Sequence, residues 1–520
     1  MMKKLLAVAA PLAAVATLSA ANNTTKPNVV IIYADDLGFG DVSCYNPRGK
    51  IITPNIDKLA ERGVRFVDAH TASSISSPSR YGLLTGQYSW RTDIKRGNPI
   101  SGDDMWVDED RLTVADLLDG EGYNTAAIGK WGLGANYSAA ARPGRVGRDF
   151  SPEAIDYSKP IPSAQLLGFD YESLHRWYGP GSFEKIYNCP SISGASTYTD
   201  GGRWYFENGM SRDGAPDFEK FDMEEAQMFY IQKSVEYIRA AGGKGKKNPN
   251  FNIEKNKPFF LYYAPHIPHY PHVPADQFKG TSEVGVYGDF VLQLDWAVGQ
   301  IVKALEDIGQ LDNTIIILGS DNGPEHQSYG YIEQYGHESM GDLRGIKRDI
   351  YQGGHTTPFI FSYPNAKNCG TVSDRLVSLT DVLATLSDLL DIDYDTENFA
   401  EDSYSFADEL VSDITVEDRR EMAIHHSAGG HLALRSGDWV LINNTKGDDN
   451  NEPEWFRERL GAKNIGTACE LFNLKDDPKQ TTNVINDYPE RAAAMQKELL
   501  RYVFEGRTRF VTTQPPLTQL

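Results

Sequence analysis

The sequence predicts an α/β fold: a large mixed, mostly parallel sheet flanked by helices, followed by a small C-terminal α+β subdomain. Four unbroken apolar runs, near Val29, Thr125, Phe260 and Ile315, have the composition of parallel strands buried on both faces. Stretches of helical period separate them, and that alternation builds a parallel sheet. Beyond about residue 400 the runs shorten around Gly-Asp and Asp-Pro turns, which marks a smaller unit. With 520 residues, 40% hydrophobic and 24% charged, the chain is long enough for a large core domain and a companion. The expected division is 1–21, 22–400 and 401–520.

Residues 1–21 read as a secretory signal. Lys3 and Lys4 precede an apolar run from Leu5 to Leu18, and Ser19 and Ala21 are small residues suited to cleavage near Ala21. No later stretch has the length of a membrane span. The first strand, 28–34, runs into Asp35-Asp36-Leu37-Gly38. Adjacent carboxylates at the end of a buried strand need neutralising, and a hard divalent cation prefers such oxygens. Alone, the pair also reads as a solvated loop tip. Thr53-Pro54 opens a helix, a short strand covers 64–67, and a further helix is expected from near Ser79. Its start would present free N–H groups beside Ser76.

A helix over 112–118 ends at Gly120-Glu121-Gly122 and leads to the strand 124–128 and the loop 129–134. Residues 136–220, rich in Gly, Pro, Tyr and Asp, read as loops and short strands over the mouth of a site. A helix over 221–241 and a Lys/Asn/Gly-rich connector follow. The strand 258–264 passes into Pro265-His266-Ile267-Pro268-His269-Tyr270-Pro271-His272. Three His spaced by three between prolines could suggest a metal site, but prolines keep that segment extended, so the side chains need not converge. A helix over 290–308 precedes the strand 314–319, which ends in Ser320-Asp321-Asn322-Gly323-Pro324-Glu325. After Leu343 to His355 and a helix over 379–392, the C-terminal part has two strands within 431–442, a strand at 470–474 and a closing helix over 489–505.

The run Ser76-Ser77-Pro78-Ser79-Arg80, with Thr85-Gly86 following, is a turn sequence by composition. It also resembles the signature of type I sulfatases: Cys or Ser, any residue, Pro, Ser or Ala, Arg, four residues, Thr-Gly. The resemblance extends over nearly the whole mature chain, with five segments in family order. It implies an alkaline-phosphatase-like core whose ligands lie at the carboxyl ends of the strands. It further implies that Ser76 is oxidised to formylglycine, whose hydrate offers one hydroxyl to take up the sulfuryl group and a second to expel sulfate. Asp35, Asp36, Asp321 and Asn322, with an oxygen of modified Ser76, would form an all-oxygen shell for one Ca2+, with Mg2+ the smaller alternative. Arg80, Lys130 and Lys347 would clamp the sulfate charge, and Ser79 would orient the loop. Counting from Ala264 selects His269 as the group at the leaving oxygen, with His266 the second choice. The chain departs from the motif at Gly132, where many members have the His that supports the aldehyde diol. For His326, His337 and His355 two readings stay open, a sugar pocket or a surface or core place.

A formal charge of −21 argues against a nucleic-acid partner and leaves capture of an anionic substrate to a local basic pocket. The four cysteines have no metal-ligand spacing and leave disulfide pairing open. Together with the resemblance, this implies a periplasmic or secreted bacterial sulfatase acting on a sulfated glycan (glycosaminoglycan, mucin-type or algal). The Ser form implies a radical-type maturase. The alternatives are a phosphate-ester hydrolase of the same superfamily and, given Gly132, a sulfated-glycan-binding pseudoenzyme.

Overall fold

The strand Asn28–Ala34 occupies the middle of a ten-stranded sheet. From one edge the order is Thr371–Ser373, Val64–Phe66, Phe359–Ser362, Thr314–Ser320, Asn28–Ala34, Phe259–Ala264, Asn124–Lys130, Tyr171–His175, Tyr205–Glu207 and Met210–Ser211. This computed structural model describes residues 26–98, 104–142, 156, 158–175, 205–207, 210–211, 223–364, 366–463 and 465–509. The expected signal at 1–21, most of 136–220 and Cys189 lie outside those residues.

The five strands from Thr314–Ser320 to Tyr171–His175 are mutually parallel. Every residue of the strands Asn28–Ala34, Asn124–Lys130, Phe259–Ala264 and Thr314–Ser320 is buried, which explains their largely apolar composition. Val29, Ile31 and Tyr33 face one core layer, closed by the helices Ser76–Thr85, Val114–Gly120 and Val382–Leu390. Val30, Ile32 and Ala34 face the other, closed by Pro54–Glu61, Met223–Ala241 and Gly285–Ile308.

Three differences from the sequence reading have local causes. The helix expected from Ser79 begins at Ser76. Pro78 is accommodated because the N–H groups of a first turn have no intrahelical partner. The helix expected over 379–392 is a 3-10 turn, Leu379–Asp381, followed by Val382–Leu390. Tyr171–His175, within the region expected to hold loops and short strands, is not over the mouth of the site alone but joins the main sheet, pairing in parallel with Asn124–Lys130. Glu172 hides this strand from a hydropathy reading, yet its buried carboxylate accepts from Ser163 N and Oγ and from Gln165 N at 3.1–3.2 Å.

Beyond the main sheet, Met422–His426, Leu432–Ser436, Trp439–Ile442 and Glu470–Asn473 form a four-stranded antiparallel sheet. The helix Pro489–Glu505 covers it through Met495, Leu499 and Tyr502. Cys44, Cys369 and Cys469 are free thiols. No helix among the described residues is long and apolar enough to cross a membrane.

Arg420 locks the small sheet to the main body. Its Nε donates to Asp381 Oδ2 at 2.8 Å, Nη2 to the Asp402 carbonyl at 2.6 Å and Nη1 to the Met422 carbonyl at 3.1 Å. Both members of the Arg420–Asp381 pair are buried. Removing one partner of a buried ion pair strands the other, at about 3–5 kcal/mol. Arg420→Ala is therefore expected to destabilise the protein by about that amount, read from denaturant or thermal unfolding; a change within error would remove Arg420 as the lock.

Candidate active site

Because the central strands are parallel, their carboxyl ends share one edge of the sheet, and four of them deliver polar residues there. Asn28–Ala34 brings Asp35 and Asp36, Asn124–Lys130 brings Lys130, Phe259–Ala264 leads to His266 and His269, and Thr314–Ser320 leads to Asp321 and Asn322. The helix Ser76–Thr85 starts beside them. Ser76 Oγ donates to Asp321 Oδ2. Arg80, one turn on and so on the same helix face, points Nε at Ser76 Oγ (3.1 Å) and Nη2 at Asp321 Oδ2 (2.7 Å). Its Nη2 is 3.5 Å from Asp35 Oδ1, Nη1 donates to Tyr262 Oη at 3.3 Å, and its guanidinium lies over the Tyr33 ring. The Arg80 side chain is fully buried.

The other carboxylates are held by lysines. Lys130 Nζ donates to both oxygens of Asp35, at 2.8 and 2.7 Å. Lys347 Nζ lies 2.7 and 2.8 Å from the two oxygens of Asp36 and 3.7 Å from Glu325. Asp36 has a left-handed backbone, φ +64°, which Asp tolerates better than most residues. Its N–H donates to Asp321 Oδ1 at 3.1 Å and its Oδ1 accepts from Asn322 Nδ2 at 2.7 Å. Burial raises the Asp35 carboxyl, but Lys130, His269 and His266 outweigh it and hold the group well below the usual carboxylate range. Burial and the nearby carboxylates of Asp35, Glu325 and Asp321 lift Asp36 to about 7 against the pull of Lys347.

His266 and His269 converge, with ring centroids 4.4 Å apart, a matter that the extended reading of their segment left open. His266 Nδ1 lies 2.8 Å from Asp35 Oδ2, and His269 Nε2 lies 3.6 Å from Asp36 Oδ2. His269 Nδ1 pairs with the Tyr270 carbonyl, which can only accept. Nδ1 therefore carries a proton and Nε2 faces the carboxylates. His272 is directed elsewhere, packing on Tyr287 and Tyr331. His326 is exposed beside Glu325, His337 is buried on Asp41 at 2.8 Å, and His355 belongs to a separate cluster. Tyr33, Tyr262 and Glu325 were not singled out in the sequence. Glu325 follows Asp321-Asn322-Gly323-Pro324 directly, and that proximity was the available signal.

Asn322 Nδ2 is spent on Asp36 and the Gly323 carbonyl, while its buried Oδ1 has no hydrogen-bond partner. Carboxylate oxygens of Asp35, Asp36 and Asp321 lie within 4.8 Å of one another. An orphaned carbonyl beside three converging carboxylates fits a hard divalent cation. Gly132 has φ +74°, and a Cβ there would lie 3.3 Å from Ser77 Oγ and 3.6 Å from Arg80 Cδ. The loop thus turns beside Ser77 in a conformation that disfavours any side chain.

An α/β sheet that gathers cations and an oxygen-rich pocket around one hydroxyl defines a hydrolase of anionic esters. A family model described as Sulfatase matches residues 27–392, and the chain belongs to the sulfatase family, the sulfuric ester hydrolases. It is 32% identical over 502 residues to an N-acetylgalactosamine-6-O-sulfatase of Bacteroides thetaiotaomicron, with 90% of this chain and 91% of the relative covered. It is 29% identical to Arylsulfatase A of Bos taurus, with 97% and 92% covered. A solved structure from work on metabolism of multiple glycosaminoglycans by Bacteroides thetaiotaomicron superposes with a TM-score of 0.71 at 29% identity, covering 92% of this chain and all of that one. These likenesses place the main sheet in the alkaline-phosphatase-like class.

Two outcomes are expected of this geometry. A hard divalent cation should raise the melting temperature, by the equivalent of about 2.7 kcal/mol at a hundredfold excess over its Kd, and Asp321→Asn should abolish that shift; an unchanged shift would place the ion elsewhere. Gly132→Ala should cost about 1–2 kcal/mol of stability, the penalty for a left-handed L-residue, as measured by chemical denaturation.

Proposed function

We propose that the protein is an exported sulfatase that removes sulfate from a sulfated carbohydrate, with Ser76, oxidised to formylglycine, as the nucleophilic position. The supporting observation is the Ser76 hydroxyl lying between Asp321 and the Arg80 guanidinium, with Lys130 and Lys347 on the flanking carboxylates. When formed, the hydrated aldehyde supplies one hydroxyl to accept the sulfuryl group and another whose deprotonation regenerates the carbonyl and releases sulfate. Asp35, Asp36, Asp321 and Asn322 would hold one Ca2+, or Mg2+, which supplies positive charge to the sulfate oxygens.

The remaining work falls to the chain's own groups. Arg80 orients the oxygen at position 76 and binds the ester's charge. Lys130 and Lys347 bind sulfate oxygens on either side. His269 presents Nε2 toward the leaving oxygen, with its ring fixed by the Tyr270 carbonyl, and His266 steadies Asp35. Residues 1–21 direct export, and a radical-type maturase oxidises Ser76. The mature chain, with its catalytic part at 22–400 and its small subdomain at 401–520, works in the periplasm or outside the cell. The relative named for N-acetylgalactosamine-6-O-sulfate makes that sugar sulfate the first substrate to try.

The peptide spanning Ser76, isolated from protein co-produced with a maturase, should carry the mass of an aldehyde; an unmodified Ser in fully active enzyme would end the formylglycine reading. A paired assay on aryl sulfate and aryl phosphate should show turnover of the sulfate, and preference for the phosphate would favour the phosphate-ester alternative. Arg80→Lys and Lys347→Ala should each lower kcat by about 10²–10³-fold, the loss seen when one preorganised charge donor is removed.

A further inference from the structure

We propose that His70, His355 and His425 form a second metal site, for a borderline divalent transition metal with zinc foremost, which pins the C-terminal sheet to the main body. The three residues come from three separate segments. His70 ends the strand Ala69–His70, His355 ends the short helix Gln352–His355, and His425 lies on Met422–His426 of the small sheet. All three are buried, at 1%, 0% and 0% exposure, and one ring nitrogen of each lies within 4.8 Å of the others. They share no residue with the carboxylate site.

The hydrogen bonds fix the tautomers. His70 Nε2 lies 2.8 Å from Asp68 Oδ1, which only accepts, and 3.2 Å from Arg435 Nη1, which only donates; the shorter contact assigns the proton to Nε2. His355 Nε2 lies 3.1 Å from the Ile350 carbonyl, which likewise only accepts. In their neutral forms both imidazoles therefore present a lone pair at Nδ1, and these two atoms face each other at 3.0 Å. Two lone pairs at that distance repel unless a positive centre sits beside them. A shared proton would relieve that pair only by charging a fully buried imidazole. It would also leave His425, both of whose ring nitrogens are buried without a partner.

A metal ion answers all three needs. Zinc takes imidazole nitrogens at about 2.0–2.1 Å, and imidazole suits borderline ions. The bonds from His70 to Asp68 and from His355 to Ile350 are the outer contacts that orient metal-binding histidines. Thr356 Oγ1 lies 3.3 Å from His70 Nδ1 and donates to Gln352 Oε1 at 3.2 Å. Arg435 Nη1 is bound to Asp68 and lies 3.2 Å from His70 Nε2, so the Asp68 carboxylate sits against both the guanidinium and the ring. His425 lies stacked on His355, with centroids 3.8 Å apart and planes at 14°, and ligation requires its ring to turn out of that stack. Full burial assigns the ion a structural role and not one in catalysis.

The test uses the full chain, purified without an affinity tag or chelator and dialysed into zinc-free, calcium-containing buffer. Elemental analysis should find about one retained zinc per chain. Replacement by cobalt should give the intense visible bands of a nitrogen-ligated, four-coordinate ion, which an all-oxygen site does not give. His425→Phe, which keeps a flat ring against His355, should lose the zinc and the cobalt bands, whereas Asp321→Asn should keep both. Wild-type protein that retains no zinc, and whose melting temperature and cobalt spectrum do not respond to added metal, would overturn the proposal. So would zinc that leaves with Asp321→Asn and stays with His425→Phe. If His425→Phe fails to fold, the wild-type stoichiometry and cobalt spectrum still decide.

Discussion

Three carboxylates buried at the end of one sheet can stay charged only if something answers each of them. Asp35 is answered by Lys130, Asp36 by Lys347 and Asp321 by Arg80. An isolated buried charge is far too costly to keep, and paired it survives only with good geometry and further hydrogen bonds. That requirement dictates much of the architecture. The carboxylates need adjacent parallel strands that end at the same level. Arg80 needs a helix that starts at Ser76, so that its guanidinium returns to the serine oxygen from the next turn. Lys347 needs a loop that comes in from beyond the main sheet.

That loop is steadied from the C-terminal side. The Asn450 side chain bonds to the Lys347 carbonyl, to Asp349 and to Arg348 Nε. Ile350 N–H donates to the Gly447 carbonyl at 2.8 Å, and Arg344 grips Glu452 and the Gln480 carbonyl. Arg348, with φ +81°, donates its N–H to the Ser74 carbonyl two residues before Ser76. Strained, non-glycine backbone of this kind persists where surrounding contacts over-determine it. The loops around the small sheet are thus wired to the positions of Lys347 and of the Ser76 loop.

The sequence made the parallel core legible because strands buried on both faces must be apolar at every position. The carboxylate pairs were legible because a charge at the end of such a strand needs a reason. Tyr171–His175 and Met422–His426 escaped notice for the opposite reason. Glu172 and the His425-His426 pair interrupt the hydrophobic pattern; Glu172 and His426 are buried against tertiary hydrogen-bond partners, and His425 against the His355 ring. The same holds for the histidines between 266 and 272. The count from Ala264 singled out His269 and then His266 on the resemblance alone; that both turn toward Asp35 and Asp36 depends on loop geometry. Glu325 and the tyrosines behind Arg80 had no motif of their own and emerged from contact alone.

The lysine–carboxylate pairs also explain how a protein carrying a formal charge of −21 can receive an anion. With each carboxylate matched to one cation, the pocket is close to neutral. A dication held by Asp35, Asp36, Asp321 and the Asn322 carbonyl would compete with Lys130 and Lys347 for the same oxygens. Each ammonium would then be released to seek another acceptor, and the pocket would carry an excess of positive charge in a buried, weakly screened setting. Sulfate oxygens are such acceptors. On the proposed roles of these residues, the attraction for substrate would be local, set by the exchange of partners among a few buried groups and not by the surface field, which has the opposite sign.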